Sequence, residues 1–480
     1  MMNFFGDAPL APVIRPMFNV GCLLDIPTGE FVRGKRGEMV LIGGHSYTFS
    51  VTGPGNSFKT DLGLFPIMTC LNRYPSHRAS VFDTENSIKY RRFQRIAKKM
   101  KNISHVDFAA ESSSPDPLLT LVQKSDISGD EWFEMVKEAK NKKVKNASKI
   151  MRTMPIAGGG GKLIKVMAPT HVLCDTLTQF SVKAVEEKIG KNQIGAKENN
   201  MIFMNDGIPK TQMIMQLPNI TTNGEIYFVM TAHIGQRFEM DPYAPKPVSL
   251  TFSKTGAKVK GVPEKFQQIN EHLLEVITTK PLLDKVSKAP LYPLVKEDKE
   301  KGNDLFAILA INSRNKNGQS GVAFPFIVSQ TEGIKPELTN YGYLKENGKF
   351  GIGGNDRNYY LELCPNETMM RTTVREKIET NTKLSRALEI QTEMLQMRKL
   401  WRVQEDKHCL PKELYDDIIA LGYDWDILLE SRGYWMFRED EVDQPPFLST
   451  MDLLNMREGT YHPYWLEEDK VTVKEKHWLL

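Results

Sequence analysis

A glycine-rich turn between an apolar strand-like run and a helix-like run constrains the fold of this chain more than any other segment. The turn reads Gly53, Pro54, Gly55, Asn56, Ser57, Phe58, Lys59 and Thr60. In such a turn the backbone N–H groups wrap a phosphate, the lysine reaches the β- and γ-phosphates, and the threonine hydroxyl binds Mg²⁺. The glycine that usually precedes the lysine is Phe58 here, so the turn matches a phosphate-binding loop only loosely.

Three later strand-like runs end in polar side chains that suit phosphate chemistry. Glu85 follows the first run, where a carboxylate can orient and deprotonate an attacking water. Asp175 ends the second run in the pattern of a carboxylate that holds Mg²⁺, and His233 ends the third, where it can hydrogen-bond a γ-phosphate. Taken singly, solvated turn acids or a structural histidine explain these residues about as well. Their order is that of an ATP-hydrolysing core, in which all would meet at the carboxyl edge of one parallel sheet.

Strand-like and helix-like segments alternate along the chain, which indicates an α/β fold with a mainly parallel central sheet covered on both faces. The strand-like runs are 38–42, 47–51, 79–82, 170–174, 226–230 and 305–311. Two long segments interrupt the alternation. Residues 110–165 are rich in Ser and Lys and predict an inserted helical hairpin with a flexible linker, and residues 234–303 are rich in Pro and Lys.

The chain divides into three predicted regions. Residues 1–30 carry four prolines with little periodicity and predict an extended arm. Residues 31–365 are expected to form the core, with insertions near 110–165 and 234–303. Residues 366–480 are expected to form a helical region that is acidic and rich in aromatic residues.

Composition excludes several classes of protein. Apolar residues make up 40% of the chain and charged residues 25%, so it can bury a core and is neither collagen-like nor wholly disordered. The five cysteines are widely spaced with no C-x-x-C pair, which favours a reducing compartment over a disulfide framework or a zinc site. No apolar run is long enough to span a bilayer, so no membrane partner is expected.

The motif set resembles RecA-like recombinases, and specifically the UvsX type of T-even-like phages. That group also has Ser-Phe-Lys in its phosphate loop, as in Ser57-Phe58-Lys59, and histidine at the γ-phosphate position, as at His233. Residues 311–316 resemble the basic segment that reaches the phosphates of the neighbouring subunit. Residues 330–336 and 343–351 resemble the end of the recombinase core. The resemblance covers residues 18–365 discontinuously and implies a RecA-like core.

The resemblance implies ATP and Mg²⁺ as ligands and a role for each matched residue. The glycine-rich turn from Gly53 to Thr60 would bind ATP, with Tyr90 stacked on the adenine. The catalytic residues would be Lys59, Glu85 and His233. Thr60 and Asp175 would hold the metal, and Arg314 and Lys316 would act in trans on a neighbour's phosphates.

The same resemblance implies two loops that hold single-stranded DNA. The residues expected to contact DNA are Lys210, Arg237, Phe238, Lys254, Lys258 and Lys260. Cations interleaved with aromatic residues suit a strand whose phosphates need neutralising and whose bases can stack. A solvated surface loop would also be rich in lysine.

The function implied is a DNA-dependent ATPase that forms a helical filament on single-stranded DNA and exchanges strands with homologous duplex DNA. Its setting would be phage recombination, repair and replication in the cytoplasm of an infected bacterial host. Phe5 and Ala8 fit the F-x-x-A pattern with which eukaryotic recombinases dock one protomer onto the next, and single-strand-binding or mediator proteins are further expected partners.

Two alternatives remain open from the sequence. The first is a ring-forming replicative DNA helicase on the same core, because residues 314–321 also resemble the trans-acting segment of DnaB-type helicases. The second is an ATP-binding assembly protein in which Phe58 has abolished hydrolysis.

Overall fold

A ten-stranded sheet lies at the centre of this computed structural model. The structure describes residues 15–479 apart from 27–29, 159–160, 192–206, 236–249, 254–257, 264, 295–303, 356 and 401–406. The strands, in chain order, are β1 (Glu30–Arg33), β2 (Met39–Ile42), β3 (Thr48–Gly53), β4 (Arg78–Asp83), β5 (Leu119–Gln123), β6 (Met151–Ala157), β7 (Leu163–Met167), β8 (Thr170–Asp175), β9 (Ile226–Gly235), β10 (Lys258–Val259), β11 (His272–Pro281), β12 (Leu305–Asn315), β13 (Ala323–Ser329), β14 (Gly333–Ile334), β15 (Ile352–Gly354), β16 (Tyr359–Leu361) and β17 (Cys364–Met369).

Helices connect the strands and continue the chain beyond them. In order, they are α1 (Lys59–Arg73), α2 (Tyr90–Ala97), α3 (Phe108–Glu111), α4 (Gly129–Lys145), α5 (Ala147–Ile150), α6 (Lys183–Lys191), α7 (Gly207–Gly224), α8 (Lys265–Ile269), α9 (Pro336–Glu346), α10 (Val374–Thr380), α11 (Thr382–Leu400), α12 (Pro411–Ala420), α13 (Trp425–Leu429) and α14 (Thr450–Arg457). Among the described helices, none is long and apolar enough to cross a membrane.

Six neighbouring strands of the central sheet run parallel, in the spatial order β11-β3-β9-β8-β4-β5. Beyond β11 the sheet continues with the antiparallel strands β12, β13 and β14, and β10 pairs with the end of β9. The runs of β3 and β8 are almost entirely buried, as strands covered on both faces must be. The predicted α/β fold with a mainly parallel central sheet is confirmed.

Each of the six predicted strand-like runs overlaps a strand, but two of them pair differently from the expectation. β2 pairs with β1 in a separate two-stranded sheet, although it directly precedes β3 in the chain. β12 is antiparallel to β11 rather than part of the parallel set. Apolar content marks a strand, whereas its direction depends on partners that are distant in sequence.

The two segments predicted as insertions both contribute strands to the central sheet. Residues 110–165 do not form a helical hairpin: β5 pairs with β4 at the edge of the sheet, α4 follows, and β6 pairs with β7 in a hairpin of strands. From residues 234–303, β11 lies beside β3. β5 is short, and only Leu119 of its five residues is fully buried. The Ser- and Lys-rich composition of the surrounding segment therefore outweighed its strand-like sequence in the prediction.

The described part of the predicted N-terminal arm packs into the core together with the C-terminal region. Phe18 and Trp435 are fully buried, with ring centroids 5.3 Å apart, and the Trp435 indole N–H donates to the backbone oxygen of Met17 at 3.2 Å. One hydrophobic cluster runs from Phe18 to Leu466 and so includes residues of all three predicted regions. Phe5 and Ala8 lie outside the described residues.

A buried group of charges joins α10 to the start of α9. The Glu379 carboxylate pairs with the ammonium of Lys335 at 3.0 Å and with the guanidinium of Arg375 at 3.6 Å. The side chain of Glu379 is 2% exposed, so its charge is shielded from water and depends on these cations.

Glu379→Gln is expected to lower the free energy of unfolding by about 2 kcal/mol, because it removes one of the buried anions that offset the cations. The loss stays below that of an isolated buried pair because Glu332 and Asp304 still pair with Lys335 and Arg375. Chemical denaturation measures the effect. The matched control is Glu134→Gln, whose carboxylate pairs with Lys137 on an exposed helix face and should change stability by less than about 0.5 kcal/mol. Equal effects of the two substitutions would contradict the prediction.

Candidate functional site

A cleft of about 800 Å³ opens at the carboxyl edge of the parallel strands. Its size is within the range of small-molecule sites, which is about 300–1,000 Å³. Lys59, Glu85, Asp175 and His233 all line this one cleft. Lys59 and Glu85 follow β3 and β4, and Asp175 and His233 lie in the last residues of β8 and β9. The parallel order brings the carboxyl ends of these four strands to the same edge. The other lining residues used below are Gly55, Asn56, Ser57, Phe58, Thr60 and Phe306.

The backbone at Phe58 explains why glycine is usual at this position of a phosphate loop. Phe58 has φ 59° and ψ 29°, a left-handed conformation that costs a side-chain-bearing residue about 1–3 kcal/mol. Its ring packs against Phe306 of β12, with centroids 5.3 Å apart, and this contact offsets part of the strain. The loop therefore keeps the conformation that leads into α1 without the glycine.

Lys59 is the first residue of α1 and is 7% exposed. Its ammonium donates to the backbone oxygen of Pro54 at 2.5 Å, and the Ser57 hydroxyl donates to the same oxygen at 2.8 Å. Burial lowers the pKa of Lys59, whereas the negative charges of Asp175 and Glu85 act in the opposite direction. A phosphate in the cleft would give this buried ammonium an anionic partner.

Asp175 ends β8 inside the cleft and is 3% exposed. Its carboxylate accepts hydrogen bonds from the hydroxyls of Thr60, at 2.7 Å, and Thr231. Burial raises the pKa of Asp175, and the two hydroxyl donors lower it in part. A carboxylate beside a threonine hydroxyl offers the oxygen ligands that Mg²⁺ prefers. The residues present therefore fit the metal expected from the sequence.

Glu85 and His233 face each other across the mouth of the cleft. The His233 Nε2 and the Glu85 Oε1 are 3.0 Å apart, and the Gln179 amide donates to the same carboxylate oxygen at 3.4 Å. The side chains of Glu85 and His233 are 32% and 27% exposed, so solvent reaches both. The His233 backbone N–H donates to the Thr178 hydroxyl at 2.8 Å, which fixes the end of β9.

The sequence prediction missed a group of cations on and before α2. Lys89, Arg91, Arg92 and Arg95 line the same cleft, and the Arg92 guanidinium pairs with Asp61 of α1 at 2.9 Å. The signal was present as a basic stripe at helical spacing, but an exposed helix face has the same pattern. Four cations beside the glycine-rich turn favour an anionic ligand.

Tyr90 does not stack in the phosphate cleft. Its hydroxyl accepts a hydrogen bond from the Leu121 N–H of β5 at 3.2 Å, and its ring packs with Phe93 against the core. The adenine-stacking role predicted for Tyr90 therefore has no support from its position.

Arg314 and Lys316 lie at the opposite edge of the sheet from the cleft. β12 is antiparallel to β11, so Arg314 is beside Leu273, at the amino end of the parallel strands. The Arg314 guanidinium donates to the backbone oxygen of Asn270 at 3.0 Å, and Lys316 is exposed. Neither side chain can reach the cleft of its own chain, so a phosphate contact would have to be with a neighbour's cleft.

The residues predicted to contact DNA fall into three groups. Lys210 is 2% exposed, and its ammonium donates to the backbone oxygens of Gly261, at 2.9 Å, and Thr178, at 3.3 Å, so it cannot neutralise a phosphate from this position. Lys258 lies in β10, and Lys260 is exposed directly after that strand. The residues outside the described chain are Arg237, Phe238 and Lys254.

Comparison with known proteins adds little to this geometry. No family model matches the chain, and no curated protein matches it. A solved structure titled "Crystal structure of the RadB recombinase" is similar to this chain with a TM-score of 0.33 and 15% sequence identity, over 61% of this chain and 92% of that chain. A TM-score this low supports no argument, so the case for a function has to come from the residues of the cleft.

Proposed function

We propose that this chain is an ATPase of the RecA-like class whose hydrolysis depends on single-stranded DNA. The observation that carries the proposal is the convergence of Lys59, Glu85, Asp175 and His233 on one cleft at the carboxyl edge of the sheet. A buried ammonium, a strand-end base, a hydroxyl–carboxylate pair and a polar sensor are the groups that phosphoryl transfer to water needs.

Each residue has a distinct task in the proposed reaction. Lys59 exchanges its bond to the Pro54 oxygen for the β- and γ-phosphates and stabilises the charge that develops on them. Glu85 holds the attacking water and takes its proton. His233 contacts the Glu85 carboxylate. When the γ-phosphate binds or leaves, His233 moves with it and so holds the Glu85 carboxylate in place or releases it.

Thr60 and Asp175 are the residues that would hold Mg²⁺. When bound, the metal neutralises charge on the β- and γ-phosphates. Asp175 is suited to this task because burial disfavours its charged carboxylate, and a bound cation would stabilise the charged form. Thr231 holds the second oxygen of the carboxylate and so fixes its direction.

A backbone connection between β10 and β9 supports the DNA dependence. β10 pairs with Ile234 and Gly235, and the Lys260 N–H donates to the His233 oxygen at 2.8 Å. DNA phosphates bound by Lys258 and Lys260 would therefore pull on the strand end that carries the sensor. DNA binding would therefore change the position of His233 and, through their contact, that of the proposed base Glu85.

The cleft lies at one edge of the sheet, and Arg314 and Lys316 lie at the other. This arrangement supports assembly into a filament. A head-to-tail contact that does not close into a ring generates a helix, and it would bring one protomer's basic residues to the next protomer's cleft. The finer proposal is a recombinase of the phage UvsX type, which pairs single-stranded DNA with homologous duplex DNA in the infected host, with single-strand-binding or mediator proteins as partners.

The full-length chain is expected to release phosphate from ATP and to do so about tenfold faster or more when oligo(dT) is added, because DNA bound beside β10 would shift the strand end at His233. A phosphate-release assay with and without oligo(dT), in the presence of Mg²⁺, measures this. The control is duplex DNA added at the same concentration of phosphate groups. Binding of ATP without turnover would favour the non-hydrolysing assembly protein and reject the proposal.

Negative-stain electron microscopy with DNA and ATP separates the recombinase from the helicase. Open helical filaments are expected on single-stranded DNA. Closed six-membered rings would favour the replicative helicase on the same core.

A further inference from the structure

Three metal-ligating side chains meet in the interior, at the end of the sheet opposite to the cleft. The Sγ of Cys70 and one ring nitrogen each of His77 and His171 all lie within 4.8 Å of one another. All three residues are fully buried. Cys70 is near the end of α1, His77 is in the turn before β4, and His171 begins β8.

The described structure leaves two of the four ring nitrogens of this cluster without a partner. His77 Nδ1 and His171 Nε2 hydrogen-bond each other at 2.8 Å, whereas His77 Nε2 and His171 Nδ1 have no hydrogen-bond partner. His45 is 1% exposed, its ring stacks on His171 with centroids 5.1 Å apart, and neither of its nitrogens has a partner. Each unsatisfied buried polar group lowers the stability of the fold by about 1–3 kcal/mol. Without a ligand, these side chains would therefore destabilise the folded chain.

Burial disfavours the charged forms of the side chains in this cluster. It lowers the pKa values of His77 and His171 well below their usual value. The neutral imidazole presents a lone pair and is the form in which histidine binds a metal. Burial raises the pKa of Cys70, so a metal would have to displace the thiol proton to solvent.

We propose that Cys70, His77 and His171 bind Zn²⁺ inside the chain. Thiolate and imidazole together suit Zn²⁺, and three protein ligands leave the fourth position of the tetrahedron to a non-protein ligand. Ligands bound at about 2.0–2.1 Å in a tetrahedron lie about 3.3 Å apart, so the two hydrogen-bonded nitrogens need to separate by only about 0.5 Å.

The site would brace the two elements that build the cleft. α1 begins with Lys59 and carries Cys70 three turns later, and β8 begins beside His171 and ends at Asp175. Zinc would therefore connect the C-terminal part of α1 to the start of β8. The opposite ends of these two elements carry Lys59, Thr60 and Asp175, the residues proposed to bind phosphate and Mg²⁺. The proposal does not depend on what the cleft binds.

The test uses the full chain and needs no assay of activity. Protein purified without chelator is expected to contain about one zinc per chain by elemental analysis, and removing the metal should lower the melting temperature, because a ligand that binds only the folded state stabilises it. Co²⁺ added to the metal-free protein is expected to produce a thiolate-to-cobalt charge-transfer band. Wild-type protein that binds neither zinc nor cobalt at a thiolate would overturn the proposal.

A matched pair of variants locates the ligand. Cys70→Ala is expected to abolish the charge-transfer band and weaken zinc binding at least tenfold, whereas Cys174→Ala should change neither, since Cys174 is equally buried in β8 but outside the cluster. His77→Ala is expected to weaken zinc binding and keep the band. Unchanged affinity in Cys70→Ala would contradict the assignment. If that variant does not fold, the cobalt band and the metal-dependent melting temperature of the wild type still decide the question.

Discussion

Lys59→Met is expected to reduce the DNA-stimulated rate of ATP hydrolysis about a thousandfold, the upper end of the effect of removing one preorganised donor from a transition state. Lys59 is the cation that the phosphate loop itself carries into the cleft, and its ammonium bonds only a backbone oxygen of that loop among the contacts described. Methionine keeps the aliphatic stem and removes the charge. The measurement is the turnover number at saturating ATP with oligo(dT).

The folding of this variant gives an independent check. Burial disfavours the Lys59 ammonium, so replacing it with an apolar side chain should leave the melting temperature unchanged or raise it. The control is Lys98→Met, which removes an exposed cation that follows α2 and should leave turnover within twofold of the wild type. A Lys59→Met protein that hydrolyses ATP at a rate near that of wild type would reject the proposed site.

Glu85→Gln is expected to lower the turnover number by about a hundredfold or more while ATP binding stays within about threefold of wild type, because general-base catalysis contributes about 10²–10⁴ to a rate. The amide keeps the size of the side chain and its contact with His233 but cannot accept a proton from water. Single-turnover phosphate release and titration with a fluorescent ATP analogue measure the two quantities separately.

Glu186→Gln is the matched control for the base. Its carboxylate is 38% exposed and pairs with Lys124, so its exposure is close to that of Glu85, but it is not one of the side chains that line the cleft. This substitution should change neither turnover nor binding. If Glu85→Gln weakened binding and left the turnover number unchanged, Glu85 would be a binding residue and another group would be the base.

A large part of the site could be predicted from local sequence. The segments before Lys59, Glu85, Asp175 and His233 have strand-like sequences, and a parallel sheet brings the carboxyl ends of its strands to one edge. The order of the motifs along the chain was therefore enough to predict that these four side chains share a cleft. Their catalytic roles stay predictions until the variants are measured.

Other features depended on contacts between distant segments. The basic stripe of α2 has the same sequence pattern whether it faces water or a cleft, and packing of α2 beside α1 is what brings Arg92 to Asp61. The sequence predicts Lys210 as an exposed loop cation, whereas in the structure its ammonium donates to the backbone oxygens of Gly261 and Thr178. β11 sits in a segment whose proline and lysine content predicts an insertion, because its burial is supplied by β3 and β12.

The sequence by itself determined six of the strands, the glycine-rich turn and the α/β class, because strand-forming runs and glycine-rich turns depend on residues next to one another in the chain. Tertiary structure alone decided which strands are neighbours, which cations face the cleft, and that Cys70, His77 and His171 meet. Cysteine spacing argued against a zinc site, since these three ligands come from three separate elements and only the packed interior brings their side chains within reach of one ion.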